Sequence, residues 1–279
     1  MVRIALPIKL GAVIAFAFHT RAQLIERPEA WLEEQFHFNP RSVKEQGLDS
    51  LFGTYYIRVG QGVFKKTSGK VAIQFDEWGR ARSIQRYKPF LSWSDSVNFI
   101  FQYDEQGHLR EEIKEDRFGY YQIIHEQVNE LLWEEAHYLG LHNGSKMLVN
   151  EYENRCSRMP DSSTEILVNY KKGNLYKKSI CREKGGLDSS VMHIVYPGMD
   201  TTYTTYHTNL GRVDSIHIWH DKNVETVNIG YDDTGEITSI QQWLNGHLGK
   251  EIQFVYTFSK LSSIVFLIPQ EQRMEILKF

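Results

Sequence analysis

The sequence predicts an all-β protein: a long antiparallel meander of β-hairpin repeats, forming a curled sheet or a barrel-like one, with a short N-terminal helix. Three observations predict it. A turn pattern of aromatic, Asp, two free positions and Gly recurs as Phe75-Asp-Glu-Trp-Gly79, Tyr103-Asp-Glu-Gln-Gly107 and Tyr231-Asp-Asp-Thr-Gly235. Ahead of the turns, Val71/Ile73/Phe75, Phe99/Phe101/Tyr103 and Val227/Ile229/Tyr231 alternate with mostly polar neighbours, which is the period of a strand with one apolar face. Asn143-Gly144 and Asn245-Gly246 interrupt further alternating runs and signal two-residue hairpins.

Taken in chain order, Arg3 and Lys9 precede the apolar run Leu10-Gly-Ala-Val-Ile-Ala-Phe-Ala-Phe18, with Thr20 and Ala22 just before Gln23. This is the layout of a secretory signal peptide over residues 1–22. The run is too short for a membrane-spanning helix, which needs about 20 apolar residues. Residues 23–53 read as a short helical cap segment. Pro28 suits a first helical turn, Trp31, Leu32, Gln35 and Phe36 share one face, and Ser42-Val-Lys-Glu45 matches a second capped turn.

The β-repeat domain is expected over 54–279. At each repeat the Asp side chain accepts hydrogen bonds from the turn backbone, and Gly takes the left-handed position at no steric cost. Looser copies are Tyr170-Lys-Lys-Gly-Asn-Leu175, Thr208-Asn-Leu-Gly-Arg-Val-Asp-Ser-Ile216 and the Gly-less Tyr256-Thr-Phe-Ser-Lys-Leu-Ser-Ser-Ile264. Consecutive strands are predicted near 212–220, 224–231, 236–244, 247–258 and 261–268. Carried back to residue 54, the same reading implies roughly 16 to 18 strands, so the sheet must curl, split or close.

The Tyr-Asp-x-x-Gly-x-Ile/Leu units at 231–237 and 103–109 resemble the YD repeats of RHS-type secreted proteins, and Tyr170-Lys-Lys-Gly-Asn-Leu-Tyr-Lys-Lys-Ser-Ile180 resembles MORN-like hairpin repeats. What the resemblance implies is a scaffold. It carries no catalytic residues across.

Composition agrees with a folded exported domain: 41% of the chain is hydrophobic and 13% aromatic, with only 7 prolines. Removing residues 1–22 takes away Arg3, Lys9 and Arg21 from the 32 basic residues against 35 acidic ones, which leaves a mildly acidic chain and argues against a nucleic-acid partner. The expected location is secreted, periplasmic or cell surface. Cys156 and Cys181 are predicted at the same end of the sheet but two strands apart, about 9–10 Å, beyond the roughly 7 Å a disulfide spans unless the intervening loop folds over.

Reactive chemistry is sparse. His217 and His220 fall on opposite faces of a strand, and His137 and His142 flank a turn, so neither pair completes a metal site. Glu134/Glu135 and Asp104/Glu105 are adjacent pairs whose members point opposite ways, unlike the two acids of a glycosidase. No catalytic residue, cofactor or metal site is expected. The candidate contacts are aromatic: Trp78 in a turn, Trp93 in a polar loop, and Trp219 and Trp243 on strands, the last two expected to pack the core. These fit an exported binding protein for a polysaccharide or protein ligand. Two alternatives are a carbohydrate-active enzyme and an outer-membrane β-barrel, the only reading that calls for a membrane. The barrel would suit about 16 strands and the terminal Phe279, but it is disfavoured by strands expected to be short and polar on both faces.

Overall fold

The computed structural model describes residues 40–89 and 96–279, apart from 161–162, 172, 185–187, 197–199, 210–211, 221 and 259. The signal-peptide segment, the helix expected at 28–36 and Trp93 therefore lie outside the described residues. Among the described residues one short α-helix, α1 (Pro40–Glu45), starts on a proline and covers the Ser42-Val-Lys-Glu45 match. Strands follow in unbroken succession: β1 (Ser50–Val59), β2 (Lys65–Phe75), β3 (Ala81–Tyr87), β4 (Ser96–Tyr103), β5 (Leu109–Asp116) and β6 (Gly119–Asn129). Next come β7 (Leu132–Gly140), β8 (Lys146–Arg158), β9 (Thr164–Tyr170), β10 (Leu175–Lys184), β11 (Asp188–Val195) and β12 (Asp200–Asn209). The last six are β13 (Arg212–His220), β14 (Asn223–Tyr231), β15 (Ile237–Leu244), β16 (His247–Thr257), β17 (Lys260–Ile268) and, after a 3-10 turn at Pro269–Glu271, β18 (Arg273–Lys278).

Every strand pairs antiparallel with the next in sequence, and β18 returns to β1 with Tyr56 opposite Ile276. The sheet is a closed 18-stranded barrel. Closure answers the crowding that the strand count implied, since a ring of this size has no open edge.

The three Asp-Gly turns share one hydrogen-bonding pattern. In each, the Gly N–H donates to the Asp carbonyl, and the Asp N–H donates to the carbonyl one residue beyond the Gly. Oδ1 of Asp76, Asp104 and Asp232 each accepts two backbone N–H groups, two and four residues on, at 2.8–3.0 Å. Gly79, Gly107 and Gly235 have φ of 79°, 90° and 92°, the left-handed conformation that favours glycine. Asn245-Gly246 forms the expected two-residue turn, with both residues at positive φ and Leu244 opposite His247. Asn143-Gly144 does not. Leu141 and Ser145 close the loop instead, in the pattern of the Asp turns.

All three Asp-Gly turns lie on one rim, with α1 and the C-terminus; the rim is called the Asp-Gly rim below, and its opposite the far rim. At the Asp-Gly rim, α1 lies so close that a Cβ on Gly79 would sit 2.0 Å from the Pro40 carbonyl.

Register fixes which side chains share a face. Ile229, Ile240, Ile252 and Phe266 follow one another across β14 to β17, and Ile73, Ile84 and Phe99 across β2 to β4; all are buried. This inward face forms one core with Val43 of α1. Each such Ile or Phe contributes roughly 1.5–3 kcal/mol by burial. The outward wall is largely polar at mid-strand, with Lys70, Gln85, Glu111, Glu151, Lys178 and Gln253.

Candidate functional site

The core is uneven around the ring. Buried members come from β1 to β4, β9, β10 and β12 to β18, whereas β5 to β8 supply only the partly buried Trp133, Tyr152 and Cys156. In that sector many inward positions are polar, with Ile123 and Trp133 among the exceptions. Lys114 stands opposite the buried Phe99 and so points into the barrel, yet it is exposed, which marks this part of the lumen as reachable by water.

Three neighbouring strands converge here. Ile123 is opposite His137, His125 is opposite Glu135, and Glu135 is opposite Tyr152, so all these side chains share the inward face. Glu135 sits between two imidazoles, with His137 Nε2 at 3.3 Å from Oε2 and His125 Nδ1 at 3.6 Å from Oε1. A carboxylate only accepts, so His137 donates from Nε2, while its Nδ1 faces the Tyr121 hydroxyl. Burial pushes the Glu135 carboxyl up, but the hydrogen bonds and charges of His125 and His137 outweigh it and hold the group well below the usual carboxylate range. The Tyr152 ring meets His137 edge-on at 5.1 Å between centroids and packs on Tyr170 and Tyr176, which reach the far rim. The result is an ionised acid under an aromatic mouth, a set of groups suited to holding a polar ligand or relaying a proton. Among the described residues, no group of three or more His, Cys, Asp or Glu side chains could hold a metal ion.

The tryptophans are scattered. Trp78 is exposed at the tip of its Asp-Gly turn, with Lys44 Nζ 4.2 Å above its ring. Trp219 does not pack the core as expected. It stands on the outer wall opposite the exposed Tyr203, stacked on His217 at 5.6 Å. Trp243 is half-buried on the same outward face, opposite Thr226. The barrel brings none of them to the Glu135 cluster. His217 faces outward and His220 inward, as the spacing predicts. Cys156 and Cys181 lie on either side of β9 with no disulfide between them.

No family model matches the chain, and no curated protein does. Among solved structures it is similar to a porin-like protein from Bacteroides uniformis, at 8% sequence identity and a TM-score of 0.40, over 82% of this chain and 95% of that one. That is a resemblance of outline. The YD-repeat and MORN-like resemblance is overturned: no model of either family matches, and the strands close into a single ring instead of a shell or solenoid that runs on from repeat to repeat.

Proposed function

We propose that this chain is an exported β-barrel of the cell envelope that binds a small polar ligand, a sugar or its derivative, in the β5–β8 sector of its lumen. The observation that carries the reading is Glu135, an ionised carboxylate clamped by two histidines on the inner wall. Closure supports it, because a ring with no free edge leaves side chains and not strand addition as the means of recognition. Sugar sites combine aromatic faces with a few fixed polar groups, and Tyr152, Tyr170 and Tyr176 supply the faces.

Titration calorimetry of the full chain against glucose, N-acetylglucosamine, glucuronate and maltose tests this. Binding of at least one, weakened on the order of tenfold by Glu135→Gln as expected for a lost charged hydrogen bond and left alone by Trp78→Ala, is the expected result. Silence with all four, or binding indifferent to Glu135→Gln and Tyr152→Ala, would falsify it.

A second reading, a barrel that spans the outer membrane, is favoured by the closed ring itself, which supports a barrel over an open scaffold. Its strands are 6 to 13 residues long, and the longer ones reach the length of about 9–11 residues that a bilayer needs. The outward wall opposes it. Lys at a bilayer midplane costs about 2–4 kcal/mol, and Lys70 and Lys178 are only two of the polar mid-strand groups. Extraction separates the two readings: carbonate releases a barrel that meets lipid only at its surface, while a spanning barrel comes away only in detergent.

A further inference from the structure

Exposed apolar side chains are not spread evenly over this barrel. Among the described residues they lie toward the two rims and gather at the far rim. Its tips present Val63 (76% exposed), Phe118 (67%), Met147 (60%) and Leu141 (48%). Just behind the tips, on the outer wall, stand Tyr87, Tyr203 and Trp219, all exposed, with Tyr56 and Trp243 at the same height. Aliphatic tips backed by a collar of Tyr and Trp match the layering of a lipid interface, where such rings rest at headgroup level.

Charge separates the rims in the same sense. Among the described side chains, the far rim carries Arg58, Lys66, Arg117, Lys146, Lys171 and Lys222, against Glu115, Asp116 and Glu271. The opposite rim is on balance acidic at its turns, through Asp76, Glu77, Asp104, Glu105, Asp232, Asp233 and Glu236, against Arg80 and Arg110, which pair with Asp76 and Asp104, and Lys44 of α1 beside Trp78. It too exposes apolar groups, Trp78 and Phe258 among them, but on a surface that anionic headgroups repel.

We infer that the far rim is a membrane-docking surface: the barrel stands end-on upon an anionic lipid bilayer, its tips in the interface and its polar wall in water. Nothing in this depends on Glu135 or on a luminal ligand. Insertion stops at the collar because the next outward positions, such as Glu151 and Lys178, are charged, and burying them in hydrocarbon costs more than further tips return.

Flotation of the full chain with vesicles tests it, using pure phosphatidylcholine beside phosphatidylcholine containing one-quarter phosphatidylglycerol. The protein should float with the anionic vesicles, and high salt should weaken the attachment. Phe118→Ser with Met147→Ser should lower partitioning on the order of tenfold, with unchanged thermal melting. Trp78→Ser with Phe258→Ser should leave it as it was. Brominated lipid should quench tryptophan fluorescence, and Trp219→Phe should remove part of that quenching. Failure to float with either vesicle, equal loss from the Asp-Gly rim variants, or a requirement for detergent to extract the bound protein would each overturn the proposal. Loss of sugar binding by Glu135→Gln with flotation intact leaves the proposal standing and bears only on the lumen.

Discussion

Asp232 shows what one side chain does for a turn. Its carboxylate accepts from the backbone of Thr234 and Glu236 and from the Thr234 hydroxyl at 2.7–2.9 Å. Desolvation pushes its pKa up, but these bonds together outweigh it, and the group ends below the ordinary carboxylate value; Asp104, held by His108, Arg110 and Gln106, shifts the same way. A lowered folded-state pKa stabilises the fold above the unfolded value of about 3.9, and that contribution is lost as pH falls through the lowered value. Asp232→Asn should therefore cost most in melting temperature near neutral pH, with the gap to the parent protein shrinking below about pH 4. A gap that stays constant from pH 7 to pH 2.5 would mean that the charge contributes nothing. The luminal cluster also belongs to this scale, and it was hidden in the sequence for a plain reason. Chain proximity pairs Glu134 with Glu135 and His137 with His142, whereas register pairs Glu135 with His125 across a hairpin and sends His142 to the turn, where Nε2 donates to the Asp116 carbonyl at 2.7 Å. The legible clue was parity: Ile123, His125, Glu135 and His137 all fall on the inward face of β6 and β7.

At the scale of elements, the strands from β13 to β17 follow the predicted boundaries within one or two residues, because period-two alternation and turn chemistry are local signals. What alternation cannot say is which face closes inward when both carry aromatics. Trp219 shares a face with Tyr203 and His217, and only the neighbouring Ile216 and Ile218, both buried, show that face to be the outer one. Turn register is similarly ambiguous: at Asn143-Gly144 it is Leu141 and Ser145 that close the hairpin, around a three-residue loop. Elements also lean on one another. The Gly79 turn and α1 are in backbone contact, whereas a Cβ on Gly107 would meet only the flexible end of Arg80 at 2.8 Å. Both glycines have positive φ, so alanine costs each about 1 kcal/mol in strain. Gly79→Ala should cost more, since α1 must also move, and denaturant melts of the two variants should differ by 1 kcal/mol or more, on the order of a displaced contact. Equal losses would mean that α1 is not seated on the turn.

For the whole molecule, hairpins account for every pairing but one. Each strand from β2 to β18 meets its predecessor across a short link, while β1 and β18 come together from opposite ends of the described chain. This seam has a kinetic meaning. Local hairpins form in about 1–10 μs, but joining the neighbourhood of residue 56 to that of residue 276 exacts loop-closure entropy over nearly the whole domain before any contact there repays it. An unclosed intermediate, a strip of strands with two naked borders, should accumulate in refolding. A circular permutant that links residue 279 to residue 40 and opens at Asn245-Gly246 turns the seam into a local connection and moves the long-range step to β15 and β16. Stopped-flow refolding should then show the slow phase transferred to quenching of Trp243 instead of burial of Tyr55, with native stability little changed. The same two borders, present only before closure, are where two copies would add strand to strand, so the rate of sealing, and not the stability of the sealed ring, sets how much of this protein is lost to aggregation as it folds.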